Sequence, residues 1–101
     1  MKSFGDLMKQ AAKMQKQMAE AQERLAEERF RASAGGGMVT AVVDGRQMLK
    51  ELKISPEALQ EGDATVLEDL VIAAVGEAQR ASEAEMKAAL EKVTGGLNLP
   101  F

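Results

Sequence analysis

The chain has 101 residues, of which 46% are hydrophobic and 29% charged, and its formal net charge is −3. This length and composition predict one soluble globular domain over residues 1–101 rather than a disordered or multidomain chain. Because no apolar run approaches the ~20 residues of a membrane helix, and the start lacks the apolar core of a signal peptide, we expect a cytoplasmic protein.

Four residue types that often carry chemistry are missing. The sequence contains no His, Cys, Trp or Tyr. This removes the commonest general base, the thiolate nucleophile and the usual zinc ligands, and leaves the serines without a histidine partner for a hydrolase triad. We therefore expect no enzymatic activity, no cofactor and no bound metal.

Apolar residues in the first part of the chain recur at alternating steps of three and four. The spacing predicts a helix over residues 4 to about 28 with a heptad seam for packing or dimerisation. At ~25 residues it would be about 37 Å long, too long to be buried within one compact chain, so a second copy is the simplest cover. The seam consists of Phe4, Leu7, Ala11, Met14, Met18, Ala21 and Leu25.

The opposite face of the same helix is basic. Four lysines fall within about 60° of one another, nearly opposite the seam: Lys2, Lys9, Lys13 and Lys16. Asp6 is the one acidic residue in positions 1–19, whereas residues 57–91 contain nine acidic side chains and two basic ones, Arg80 and Lys87. An ordinary solvated face, supported by i, i+4 pairs from Lys16 to Arg24, is the competing interpretation.

The middle of the chain changes to a period of two. Alternation over residues 29–34 predicts a strand with one basic face, and the triple glycine at 35–37 predicts a turn. Met38 to Val43 and Arg46 to Ile54 read as two more strands, joined by a two-residue hairpin at Asp44-Gly45. Because neither side of the second strand is clearly polar, we expect both of its faces to be covered.

The last part predicts a short helical turn and a second long helix. Pro56 opens the turn and Gly62 ends it, after which Asp63 or Thr65 can cap a helix running to about Thr94. Gly76 inside this helix suggests a close backbone contact. Gly95-Gly96 ends it, and residues 97–101 form an apolar tail with no predicted structure. The expected class is α+β: a long helix, a three-stranded antiparallel meander, a short turn helix and a long helix.

Several segments together resemble one known family. They are MKSFGDLMKQAAKMQKQM (1–18), GMVTAVVDG (37–45), LKISPEAL (52–59), LEDLVIAA (67–74) and the short Gly, Leu, Pro and Phe tail. In their order and spacing they resemble the YbaB/EbfC family of bacterial nucleoid-associated proteins, over nearly the whole chain.

The resemblance implies a homodimer with projecting first helices that binds duplex DNA with little sequence preference in the bacterial cytoplasm, at the nucleoid. Carried onto this chain, it implies that Lys2, Lys9, Lys13 and Lys16, and secondarily Lys87 and Lys92, contact DNA. Because Glu20, Glu23 and Glu27 continue the lysine stripe, any DNA contact is expected in the first half of the helix.

Other functions fit some of the same features. The chief alternative is a dimeric adaptor that docks another DNA-maintenance protein through the seam residues Leu7, Met14, Met18 and Leu25 or through the acidic second helix. A carboxylate–metal enzyme is a third, although one helix alone cannot supply convergent carboxylates. The triple glycine lacks the Lys-Ser/Thr that follows in a phosphate-binding loop.

Overall fold

The computed structural model describes residues 3–60 and 62–95, which form three helices and one sheet. The elements are α1 (Phe4–Glu27), β1 (Arg29–Ala34), β2 (Val39–Asp44), β3 (Leu49–Ile54), α2 (Pro56–Gln60) and α3 (Ala64–Gly95). This order confirms the expected α+β architecture. Lys2 and the tail at 97–101 lie outside the described residues.

Both long helices begin at side-chain caps. Ser3 and Asp6 form a reciprocal capping box, in which each backbone N–H donates to the other side chain. Asp63 caps α3, because its Oδ1 accepts from the N–H groups of Thr65 at 3.0 Å and Val66 at 3.4 Å. Of the two capping residues that the sequence allowed, the structure therefore selects Asp63.

The three strands form an antiparallel meander in the order β1-β2-β3. Phe30 pairs with Val43 and Ala34 with Val39 between the first two strands, while Val39 pairs with Ile54 on the other side. All three glycines of the turn between β1 and β2 have positive φ angles, a conformation that costs glycine little.

The connection between β2 and β3 differs from the predicted two-residue hairpin. Residues 45–48 form a four-residue loop, closed by the Asp44 N–H donating to the Met48 carbonyl at 2.9 Å, and the third strand begins at Leu49 rather than Arg46. Gly45 is needed because the chain packs closely against α1 at this point, and not because a two-residue turn requires glycine. Its N–H donates to the Leu25 carbonyl at 2.7 Å, and a Cβ would lie 2.5 Å from that oxygen.

The core lies between one face of the sheet and α3. Five residues of β2 and α3 are fully buried there: Val39, Ala41, Val43, Ala74 and Ala78. Apolar side chains of β1 and the first half of α3 pack around them. Since α3 packs against β1 and β2, the inner face of β3 stays exposed at Leu49 and Leu52.

Of two expectations drawn from packing, one is confirmed and one is wrong. Both faces of β2 are covered as expected, and Val42 on the outer face is only 6% exposed beside its cross-strand neighbours Arg31 and Glu51. At Gly76 the structure shows no close backbone contact: among the described residues, the only atom near its Cβ position is Arg80 Nη1, at 3.6 Å.

Candidate nucleic-acid interface

The first helix is attached to the rest of the molecule by its C-terminal half. Ala21 and Leu25 are its buried residues, and a groove of about 340 Å³ between α1 and α3 begins at Gln17 and reaches Val93. We call the part of α1 before this groove, residues 4–16, the arm. At 1.5 Å per residue the arm is about 20 Å long.

The shape of the chain reflects this arm. The radius of gyration is 19.5 Å and the principal extents are 68 × 23 × 16 Å, whereas a compact chain of this length has a radius of gyration near 13 Å. The seam residues of the arm remain accessible: Phe4 and Leu7 are exposed, and Met14 is half-buried. Met18, just past the arm, is half-buried, and Leu25 is buried within its own chain.

Three of the predicted lysines stand on the arm. Lys9, Lys13 and Lys16 are exposed, and they lie on average about 130° around the helix from the buried Ala21 and Leu25. Over residues 3–60 and 62–95, none of their ammonium groups has a carboxylate oxygen within 4.0 Å. The i, i+4 pairs of the competing interpretation are therefore not formed, and the three charges are open to a partner.

The two secondary lysines have different surroundings. Lys87 forms an ion pair with Glu83, with Nζ 3.7 Å from Oε1, on the side of α3 that faces away from the sheet. Lys92 lines the groove between α1 and α3 together with Glu85 and Glu28. Neither lies on the arm, and the structure does not bring either one into line with the lysines at 9, 13 and 16.

Glu20, Glu23 and Glu27 are exposed and follow the arm lysines along the same face of α1. The charge on this face therefore changes sign between Lys16 and Glu20. A polyanion would be attracted by the arm and repelled by the next three turns.

A second group of cations, on the sheet, was only partly anticipated. Arg29, Arg31, Lys50 and Lys53 lie around the face of the sheet that α3 leaves uncovered. The alternation in residues 29–34 indicated a basic strand face, but the contribution of β3 depends on the strand register and on a bulge at Val42/Val43. No signal in the sequence fixes that register.

The described residues offer little for other chemistry. Within residues 3–60 and 62–95 there is no group of three acidic, His or Cys side chains able to hold a metal ion. In the same ranges no helix combines the length and the apolar character needed to cross a bilayer.

Comparison with known proteins identifies the family. A sequence model described as the YbaB/EbfC DNA-binding family matches residues 1–97. The chain belongs to the YbaB/EbfC family.

Relatives of this YbaB/EbfC chain carry consistent names. It is 44% identical over 98 residues to a nucleoid-associated protein of Clostridium botulinum, covering 97% of this chain and 87% of that one. A nucleoid-associated protein of Gemmatimonas aurantiaca is 50% identical over 72 residues, covering 71% and 69% of the two chains.

One solved structure has the same fold. The crystal structure of an uncharacterized protein from Helicobacter pylori superposes on this YbaB/EbfC chain with a TM-score of 0.81. The match covers 87% of this chain and 92% of that one at 23% sequence identity, which establishes the fold and not the function.

Proposed function

We propose that this YbaB/EbfC chain is a nucleoid-associated protein that binds duplex DNA as a homodimer through the lysines of its arm. The observation that carries the proposal is the row formed by Lys9, Lys13 and Lys16, which are exposed on a free helix with no carboxylate partner within the described part of the chain. Phosphate contacts by lysine supply most of the sequence-independent affinity for DNA. The names of the relatives support a location at the nucleoid.

Low sequence specificity follows from the same side chains. Lysine binds phosphate as a point charge, and phosphate contacts position a protein without reading bases. The lysine face of the arm also carries no aromatic side chain on which unpaired bases could stack, which favours duplex over single-stranded DNA. Binding by electrostatics alone requires no catalytic group, in keeping with a non-enzymatic role.

The homodimer is supported by exposed apolar side chains beside β3, which we call the β3 apolar surface. They belong to β3, the loop before it and one flank of α3: Met48, Leu49, Leu52 and Ile72. Gln79, one heptad after Ile72, donates to the Gln47 carbonyl at 3.2 Å, so this flank of α3 faces the β2–β3 loop.

A second copy of the chain fits the β3 apolar surface for a geometric reason. A helix about 10 Å in diameter covers two strands spaced about 4.8 Å apart, so the single helix α3 leaves one strand of three uncovered. In a two-fold dimer each copy would supply the same apolar surface to the other.

DNA binding is tested by fluorescence anisotropy with a labelled duplex of ~30 base pairs at about 50 and 200 mM salt. We expect binding that weakens steeply with salt. Taken alone, the four lysines of each first helix give the dimer at most about eight phosphate contacts and a slope of log K against log salt no steeper than about −7.

Single replacements of Lys9, Lys13 and Lys16 by Gln should each weaken binding about three- to fivefold at low salt, the share of one phosphate contact. Arg80→Gln is the matched control. Arg80 lies two residues from buried Ala78 and two from buried Ser82, so it points to the opposite face of α3 from them. Its guanidinium is paired with Glu77. Loss of DNA binding with the dimer intact supports the proposal.

No binding to DNA even at low salt would contradict the proposal. That outcome would favour the adaptor, which docks a DNA-maintenance protein through the acidic second helix or through the seam, where Leu7 is exposed and Met14 and Met18 are half-buried. Lys87→Gln and Lys92→Gln separately test the two secondary lysines, whose surroundings give less support to a DNA contact.

A further inference from the structure

The uncovered face of the sheet carries more positive charge than its ion pairs neutralise. Lys50 Nζ lies 3.8 Å from Asp44 Oδ2, and Lys53 Nζ lies 3.3 Å from Glu51 Oε1. Arg29 donates from Nη1 to two backbone carbonyls, each at 2.9 Å. Arg31 has no carboxylate oxygen within 4.0 Å over residues 3–60 and 62–95. We call Arg29, Arg31, Lys50 and Lys53 the basic sheet face; with Asp44 and Glu51 it has a local charge of +2.

The rest of this face is polar and offers no apolar anchor. Ser33 and Thr40 lie side by side on neighbouring strands, with their hydroxyl oxygens 2.9 Å apart. The one apolar residue among them, Val42, is 6% exposed. Protein partners are held mainly by buried aromatic and apolar anchors, whereas Arg, Lys, Ser and Thr are the side chains that contact DNA phosphates. The composition of the face therefore fits a phosphate backbone better than a protein.

The basic sheet face and the arm lysines are on the same side of the molecule. One stripe of α3, with steps of three or four residues, packs first against the sheet and then against α1: Ala74, Ala78, Ser82, Glu85, Ala89 and Val93. The sheet and α1 therefore both pack on the same side of α3. The surfaces that they turn away from α3 are the uncovered face of the sheet and the lysine face of the arm.

We propose that the basic sheet face is a second phosphate-binding surface for duplex DNA, contacted together with the arm. This inference rests on the proposed function and adds a surface to it. Lys16 lies 11 residues, about 17 Å, before the end of α1 at Glu27, and β1 begins at Arg29 two residues later, so the two surfaces are separated by less than one ~34 Å turn of duplex. Glu20, Glu23 and Glu27 lie between the two surfaces, so DNA contacts the molecule at two separated places.

Arg31 gives the sharpest test, because among the described residues its guanidinium has no carboxylate partner and its side chain is exposed on the sheet face away from the core under α3. Arg31→Gln is compared with Arg80→Gln, which removes the same charge from the opposite face of α3, by anisotropy of the ~30-base-pair duplex across a salt series. We expect Arg31→Gln to weaken binding about three- to tenfold at 50 mM salt and to reduce the magnitude of the salt slope by about 0.9 for each phosphate that is no longer neutralised. Arg80→Gln should match the wild type.

The outcomes separate this inference from the proposed function. If the arm variants lose binding while Arg31→Gln and a second variant, Lys53→Gln, both behave as the wild type, the sheet surface is overturned and the arm remains. Equal losses of affinity in Arg31→Gln and Arg80→Gln would also overturn it, since net charge alone would explain them. If the wild type binds no duplex, the proposed function itself fails. Thermal melts of each variant confirm that the fold is retained.

Discussion

The buried carboxylate of Asp44 organises the loop between β2 and β3. Its Oδ1 accepts from the N–H groups of Arg46 at 2.8 Å and Met48 at 3.0 Å, and its Oδ2 lies near Lys50. Burial by itself raises the pKa of this carboxyl, but the two N–H groups and the nearby cations Lys50 and Arg29 outweigh it and hold the pKa below 3.8. The ionised form is therefore part of the folded state.

A pH-dependent contribution to stability follows from the lowered pKa. Above the unfolded-state pKa the ionised Asp44 stabilises the fold, and this stabilisation is lost as the pH falls through the lower folded-state pKa. Asp44→Asn should lower the free energy of unfolding by about 1–2 kcal/mol near pH 7. The difference from the wild type should shrink below about pH 4. Urea titrations from pH 7 to 3 measure both.

The control for this prediction is Asp69→Asn, which alters an exposed carboxylate on α3. We expect it to change the unfolding free energy by less than about 0.5 kcal/mol. A gap between Asp44→Asn and the wild type that stayed constant with pH would show that the carboxylate contributes by shape rather than by charge.

At the scale of elements, α1 joins two functions in one helix. Its C-terminal half packs against α3 and the β2–β3 loop through Ala21 and Leu25, while its N-terminal half is free to carry charge. The lysines precede the glutamates along α1, and this order opposes the favourable interaction of side-chain charges with the helix dipole. A sequence that gives up a local preference without a local gain in stability indicates a functional constraint at that place. In the proposed complex, the acidic residues limit how far DNA can follow the helix.

Removing that limit should strengthen DNA binding. Replacing Glu20 and Glu23 by Gln takes two repulsive charges from the lysine face, so we expect several-fold tighter binding at about 50 mM salt and a smaller gain at 200 mM. Asp69→Asn with Glu91→Gln is the charge-matched control on exposed positions of α3. Comparable tightening in the control would mean that overall charge, and not the face of α1, governs binding.

For the whole molecule, two apolar surfaces are candidates for the contact of the proposed homodimer. The arm seam exposes Leu7 and the β3 apolar surface exposes Leu52, and these surfaces belong to different elements. Sedimentation of Leu52→Glu and Leu7→Glu distinguishes them, with circular dichroism to verify folding. We expect Leu52→Glu to dissociate the dimer and Leu7→Glu to leave it intact. The reverse result would assign the dimer contact to the arm, and a wild-type monomer would remove the homodimer from the proposal.

The sequence by itself determined the elements, since they depend on local periodicity and punctuation. Apolar residues at steps of three and four predicted α1 and α3. Alternating residues bounded by glycines predicted the strands, and each element was placed to within a few residues. The lysine stripe was also visible, because its members lie within a few turns of one another on one helix. The sequence left two candidates for the N-cap of α3, Asp63 and Thr65, because both side chains can accept a hydrogen bond from a backbone N–H.

The tertiary structure alone decided what depends on contacts between distant residues. Gly45 read as a hairpin turn, yet its role is to let the chain approach Leu25 of α1. Both faces of β2 were expected to be covered, but only the structure shows that Val42 on the outer face is buried between Arg31 and Glu51 of the adjacent strands. The basic sheet face required the register of β3 and its bulge, since a one-residue shift would turn every side chain of that strand to the other face.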